Sequence, residues 1–208
     1  TFTNNGRLLV SGGIIYVNAT QNGEPLSLNS NSSVDVRLNP AVPPNPAINM
    51  QVFTGGDDGN GTFSWDSTAL PIIQPDSSIY SFVLPDVGWI NCDYFYNSTD
   101  PLTQMEVTLP TPFDGSNSTV MVYYDNMNSV STLYDDSTPY DGTFDLGVNY
   151  SSPVGMMVKF IVLAEVAGQW SWYVTASTPT SMNHVETIPS MTNASDQQTA
   201  VALIQAAL

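Results

Sequence analysis

Val34-Asp35-Val36-Arg37-Leu38 alternates apolar and polar side chains without a break. Successive residues of a strand point to opposite faces, so this period of two predicts a strand with one buried and one solvated face. Downstream, Met50-Gln51-Val52-Phe53 and Thr62-Phe63-Ser64-Trp65 bracket the run Gly55-Gly56-Asp57-Asp58-Gly59-Asn60-Gly61. That arrangement predicts a hairpin with an acidic tip. Upstream, Asn22-Gly23 predicts a second hairpin, because both residues accept the positive φ of a type I′ turn. Between them, Asn39 to Pro46 holds Pro40, Pro43, Pro44 and Pro46, which suit a connector and not a sheet interior.

The same signals recur outward in both directions. Arg7 to Val10 and Ile14 to Val17 are expected as two strands joined by a tight turn at Ser11-Gly12-Gly13. Further strands are expected at Ile79 to Leu84, Trp89 to Tyr96, Met105 to Leu109 and Val120 to Tyr124. Phe144 to Val148, Met156 to Val166 and Trp170 to Ala176 complete the set. Short strands at regular spacing predict an all-β antiparallel β-sandwich, as one large body or two packed halves. No long helical periods alternate with strands, so a parallel α/β sheet is not expected. One short helix is expected at the C-terminus, where Ser195 and Gln198 have capping-box spacing. Ala200, Val201, Leu203, Ile204 and Leu208 then form an apolar stripe that packs on the domain. The reading is a single β domain over residues 1–208, with a sub-division near 97–101 into 1–96 and 102–208.

Charge narrows the range of partners. Three basic residues, Arg7, Arg37 and Lys159, stand against 19 acidic ones, for a net charge of −16. Phosphate backbones and anionic lipids are held by Lys and Arg, so nucleic acid and anionic membranes are excluded. A hydrophobic content of 42% argues against disorder, and 208 residues can bury a core without a disulfide or a metal. The longest apolar run, Val158 to Val166, is too short to span a bilayer and is interrupted by Lys159 and Glu165. A chain that begins at Thr1 without Met fits an exported protein after signal removal. The expected location is therefore extracellular or at the cell surface.

Val10-Ser11-Gly12-Gly13-Ile14-Ile15-Tyr16-Val17, with Asn22-Gly23-Glu24-Pro25-Leu26 and the Val34 strand, resembles the start of ZU5-like β-sandwich domains. Met50-Gln51-Val52-Phe53-Thr54-Gly55, Thr62-Phe63-Ser64-Trp65 and Gly88-Trp89-Ile90-Asn91-Cys92-Asp93-Tyr94-Phe95 resemble exported and lipoprotein-like β domains of Bacteroidetes. The resemblance implies a mainly β secreted or cell-surface protein and brings no catalytic residues.

Candidate sites follow from residue chemistry. Asp135, Asp136, Asp141 and Asp145 could supply oxygens to calcium, as could Asp57-Asp58-Gly59-Asn60, although neither cluster has EF-hand spacing. No other cofactor is expected. Trp170 and Trp172, with Tyr123 and Tyr124, could form a platform for sugar rings, or a core layer. Asn-x-Ser/Thr sequons lie at Asn18, Asn31, Asn60, Asn97, Asn117, Asn149 and Asn193, a mild excess for so Asn- and Ser-rich a chain. Ser67 and Ser137 sit in Asp-Ser-Thr triplets similar to the O-glycosylation sites of Bacteroidetes exported proteins. Cys92 is expected as a small buried hydrophobe on the strand that carries Trp89 and Phe95, and the lone His184 is a weak partner for a catalytic thiol. A glycosidase would need two carboxyl groups facing each other across about 5 to 9.5 Å, whereas most of these acids fall in turns. No nucleophile elbow, phosphate loop or His-rich metal motif is present.

These observations point to a non-catalytic extracellular surface protein with a structural or adhesive role, including self-assembly into a fibre or surface layer. Its expected partners are itself or other surface proteins. Phe2, the Leu8-Leu9-Val10 run and the C-terminal stripe either complete a neighbour or fold back on their own domain. The alternative is a carbohydrate-binding module working through Trp170, Trp172, Tyr123 and Tyr124.

Overall fold

The alternating stretches become strands in two compact units, Thr1–Tyr96 and Asn97–Leu208. The structure is a computed structural model, and it describes residues 2–3, 6–29, 31–39, 49–57, 63–76, 79–84, 87–125, 127–147 and 150–208. The all-β class with a single C-terminal helix holds for the described residues. Residues 40–46 of the Pro-rich connector and 58–61 of the hairpin tip lie outside them.

Unit 1 contains β1 (Leu9–Val17), β2 (Thr20–Gln21), β3 (Glu24–Pro25), β4 (Val34–Leu38) and β5 (Gln51–Asp57). It continues with β6 (Phe63–Pro71), β7 (Ile73–Asp76), β8 (Ile79–Leu84) and β9 (Gly88–Phe95). One sheet runs β1-β9-β5-β6 and another β4-β8-β7, all antiparallel. Alternation gives each sheet an apolar face. Val52, Ile90 and Cys92 from the first pack with Val36, Tyr80, Phe82 and Leu84 from the second into one core. The Asn22-Gly23 hairpin forms as expected, pairing β2 with β3 at φ values of 55° and 87°.

Gly12-Gly13 is not a turn. Residues 9–17 form one continuous strand, and the glycines sit in a β-bulge between Ser11 and Ile14 against β9. A Cβ on Gly12 would approach the Met50 methyl to 2.5 Å and the Cys92 carbonyl oxygen to 2.9 Å. The glycine pair thus serves a bulge and close packing, a use that sequence alone does not separate from a turn.

Cys92 is buried and unpaired on β9, as expected. Burial, with the Asp93 charge adding to it, pushes its thiol up to about 12. The native protein is therefore expected to resist thiol reagents at pH 8 and to react fully once unfolded, which labelling with and without denaturant followed by mass spectrometry will check.

Unit 2 opens with β10 (Leu102–Thr103), β11 (Met105–Thr108), β12 (Ser118–Tyr124), β13 (Ser129–Leu133), β14 (Thr143–Asp145) and β15 (Ser152–Pro153). Then come β16 (Met157–Val166), β17 (Gln169–Val174), β18 (Thr178–Pro179), β19 (His184–Thr187), β20 (Thr192–Ala194) and α1 (Gln197–Ala207). The largest sheet runs β13-β12-β16-β17-β20, with β18 also on β16. Its inner rows pair Val120 with Val162, Val122 with Phe160 and Tyr124 with Val158, all fully buried. A second sheet, β14-β11-β19, departs from the antiparallel expectation, because Met105–Thr108 runs parallel to His184–Thr187. The strand expected at Phe144 to Val148 is confined to Thr143–Asp145.

Helix α1 packs against β16, β17 and β20. Asp196, one residue after the expected Ser195, is its N-cap and accepts from the Thr199 amide at 2.7 Å. Ser195 instead donates to the Asp196 carboxylate at 2.8 Å. Lys159 donates to the carbonyls of Ala207 and Leu208, placing a cation at the negative end of the helix dipole. Only Ala200 and Ile204 of the stripe are buried, while Val201, Leu203 and Leu208 face outward. Of the two outcomes open to Phe2 and Leu8-Leu9-Val10, these residues take the fold-back one and are buried. The N-terminus folds back, with Phe2 bridging Leu8 and Thr3 bridging Trp65.

Candidate functional site

Strand register assembles a row of rings that no single stretch of sequence contains. Trp65 on β6 lies opposite Gly55 on β5, Gly55 opposite Trp89 on β9, and Trp89 opposite Tyr16 on β1. Cross-strand partners share a face, and Phe63, two residues before Trp65, shares it too. The Tyr16 and Trp89 ring centroids are 4.8 Å apart with a 40° tilt. Phe63 meets Trp89 edge-on at 6.2 Å and Trp65 at 5.2 Å. Tyr16 is 55% exposed, Trp89 and Phe63 are each 44% exposed, and Trp65 is buried.

Gly55 makes the row continuous. A Cβ there would come within 2.5 Å of the Phe63 ring and 2.7 Å of the Trp65 ring. The bare backbone of the middle strand lets both rings close over it. Exposed aromatics in a continuous row on a sheet face are the mark of a surface that meets something.

Farther along the same face the sheet is closed and polar. The Ser11 hydroxyl donates to Asn91 Oδ1 at 2.7 Å, and Asn91 Nδ2 donates to Asp93 Oδ2 at 2.6 Å. All three residues are buried, and Asp93 Oδ1 has no hydrogen-bond partner among the described residues. Burial pushes the Asp93 carboxyl up to about 8, with the Ser11 hydroxyl offsetting part of that rise. At neutral pH this acid is protonated, which removes the cost of a buried charge. Beside it, Phe53 and Phe95 meet edge to face at 5.5 Å, and the Arg7 guanidinium lies 3.5 Å over the Phe95 ring.

The sequence pointed to other aromatics. Tyr123 and Tyr124 are neighbours on β12 and face opposite ways, with Tyr124 wholly buried, so the four-ring platform is not assembled. Trp170 and Trp172 do share a face, in register with Glu165 and Leu163 of β16. Lys159 shares that face and reaches the end of α1, so the helix lies on this side of the sheet. Both indoles are half-buried there, and the Trp172 indole nitrogen is shut away from solvent.

Three of the four acids expected to hold calcium bond to backbone amides of nearby turns. Asp135 is buried, with Oδ2 accepting from the Gly115 and Gly142 amides at 3.1 and 3.0 Å. Its Oδ1 accepts from the amide and hydroxyl of Ser137. Asp141 accepts from the Thr143 amide and Asp145 from the Gly147 amide, while Asp136 is exposed. No group of three His, Cys, Asp or Glu residues able to hold a metal occurs among the described residues. Asp58 to Asn60 of the first acidic cluster lie outside them.

Asn18, Asn31 and Asn97 are exposed, and so is Asn193, which accepts from the Ser171 hydroxyl at 3.1 Å. Asn117 is different: its amide nitrogen donates to the Pro112 carbonyl at 3.0 Å and to Asp114, which occupies the atom a glycan would need. Asn60 and Asn149 lie outside the described residues. Ser67 is exposed and donates to Gln51, whereas the Ser137 hydroxyl is held by Asp135. His184 is buried against Phe160, with Nδ1 accepting from the Ser181 amide at 3.3 Å and Nε2 4.0 Å from Glu186.

Sequence reasoning missed the row because its members lie far apart in the chain. The available signal was that Tyr16 alternates with Ile15 and Val17, and Trp89 with Ile90 and Cys92, so both point away from the unit 1 core. Comparison of the chain with protein-family models, curated proteins and solved structures finds no match.

Proposed function

We propose that this chain is a non-catalytic extracellular adhesion module whose contact surface is the Tyr16–Trp89–Phe63 row. The observation that carries this reading is the row itself: three exposed rings from three strands in tilted and edge-on contact. Adhesion needs a stable surface and no reacting group, which agrees with Asp93 being buried beside Asn91 and Ser11 on this face, its carboxyl pushed up to about 8. The scarcity of Lys and Arg and the abundance of Asn, Ser and Thr support an exported location.

Beads coated with the chain test this directly. They are expected to adhere to at least one of four surfaces: neutral polysaccharide, acidic polysaccharide, denatured protein, or the chain itself. Trp89→Ala should weaken that adhesion about tenfold or more, as loss of a central aromatic contact does, with an unchanged melting temperature. Adhesion to none of the four, or adhesion indifferent to Trp89→Ala, would remove the proposal.

A further inference from the structure

We propose that the ligand of the ring row is a neutral oligosaccharide, an inference that rests on the adhesive reading and names what it binds. The first argument is shape. Tyr16 and Trp89 are cross-strand partners, Phe63 stands two residues from the Trp65 that continues their register, and Gly55 places no side chain between Trp89 and the β6 rings. The result is a tilted pair, Tyr16 and Trp89, with Phe63 standing edge-on at the Trp89 end. Such a surface suits a ligand that packs sugar rings on the Tyr16–Trp89 pair and abuts Phe63.

Ring chemistry is the second argument. The C–H face of a sugar ring offers apolar, weakly positive hydrogens that pack on the negative face of an aromatic ring. Around the rim, the Tyr16 hydroxyl can donate or accept and the Trp89 indole N–H can donate to sugar hydroxyls.

Charge supplies the third argument and selects among occupants. Of the three basic residues, Arg7 lies over Phe95, Lys159 holds the end of α1, and Arg37 belongs to β4 in the other sheet of unit 1. None stands in the row to neutralise a uronate, sulfate or phosphate. A second copy of the chain would bring another −16 to the contact, and an acidic partner would meet the same repulsion. A neutral glycan carries no charge to repel.

The test uses the intact chain with cellohexaose, maltohexaose, mannohexaose, xylohexaose and, as the acidic comparison, hexagalacturonate. Calorimetry and tryptophan fluorescence read binding, and sedimentation reads self-association. At least one neutral hexamer is expected to bind in the micromolar to millimolar range. Trp89→Ala and Tyr16→Ala should each weaken it about tenfold, a loss of about 1.4 kcal/mol. Trp170→Ala in unit 2 should leave it unchanged. If no neutral hexamer binds at millimolar concentration while the coated beads still adhere through Trp89, the ligand class is wrong and the adhesive reading survives. If the beads do not adhere either, both fall. Binding of hexagalacturonate as tight as that of the neutral hexamers overturns the charge argument and with it the inference. Binding lost in Trp170→Ala but kept in Trp89→Ala overturns the site. Dimerisation abolished by Trp89→Ala, without glycan binding, assigns the row to a second copy and overturns the inference.

Discussion

Asp93→Asn is expected to make unit 1 more stable at neutral and mildly alkaline pH, by a few kcal/mol at pH 8. The unfolded chain gives up the Asp93 proton near the ordinary value of 3.8, whereas the folded chain keeps it to about 8. Across that window the unfolded state binds fewer protons than the folded one, so rising pH weakens the fold. The contribution of this residue is greatest below about pH 4 and levels off again above about pH 8. Asn keeps an acceptor for the Asn91 amide and has no proton to lose. Cys92 gives a reporter confined to unit 1, because its thiol reacts only when the strand that carries it opens. Pulsed thiol labelling across a urea series, repeated from about pH 5 to pH 8, should show the wild type losing stability and Asp93→Asn holding level. Parallel slopes in the two proteins would mean that Asp93 does not control the trend.

Asp135→Ala is expected to cost unit 2 about 3 to 5 kcal/mol, since it strands the buried amides that the carboxylate now satisfies. Burial by itself would raise this acid, but the hydrogen bonds from Ser137, Gly142 and Gly115 outweigh it and hold the pKa below the ordinary value. The sign is opposite to that of Asp93. The stabilisation from Asp135 is full above about pH 4 and is lost as pH falls through the depressed folded value. Acid unfolding of unit 2 should therefore begin at a higher pH in Asp135→Asn than in the wild type. Far-ultraviolet circular dichroism during acid titration reads this, and coincident curves would count against it.

How legible the fold was depended on the range of the interaction. Val34–Leu38, Ile79–Leu84 and Met157–Val166 declare themselves because alternation and burial act within a few residues. The Asn22-Gly23 turn is equally local. Thr192–Ala194 and His184–Thr187 escaped, because their Thr-, Ser- and Pro-rich surroundings carry no apolar period and partner strands hold them in place. Gly12-Gly13 misled because a bulge and a turn ask the same conformational freedom of glycine. The ring row needed the pairing of residues 16, 55, 65 and 89, which no local pattern encodes. Asp93 was equally hidden: its sequence neighbours say strand, and only burial beside Asn91 and Ser11 makes its carboxyl unusual.

The parallel pairing of Met105–Thr108 with His184–Thr187 bears on how the chain is made. A strand near the start of unit 2 waits for a partner close to the end of the chain. Unit 1 has all its strands once Phe95 is available, so during N-to-C synthesis it can close while unit 2 is still incomplete. The second unit must hold β11 with one edge unmatched until His184 arrives, and such distant pairings form slowly. A ribosome pause or a premature stop before that point leaves an open β edge, the kind of surface that chaperones hold and that aggregates when they do not.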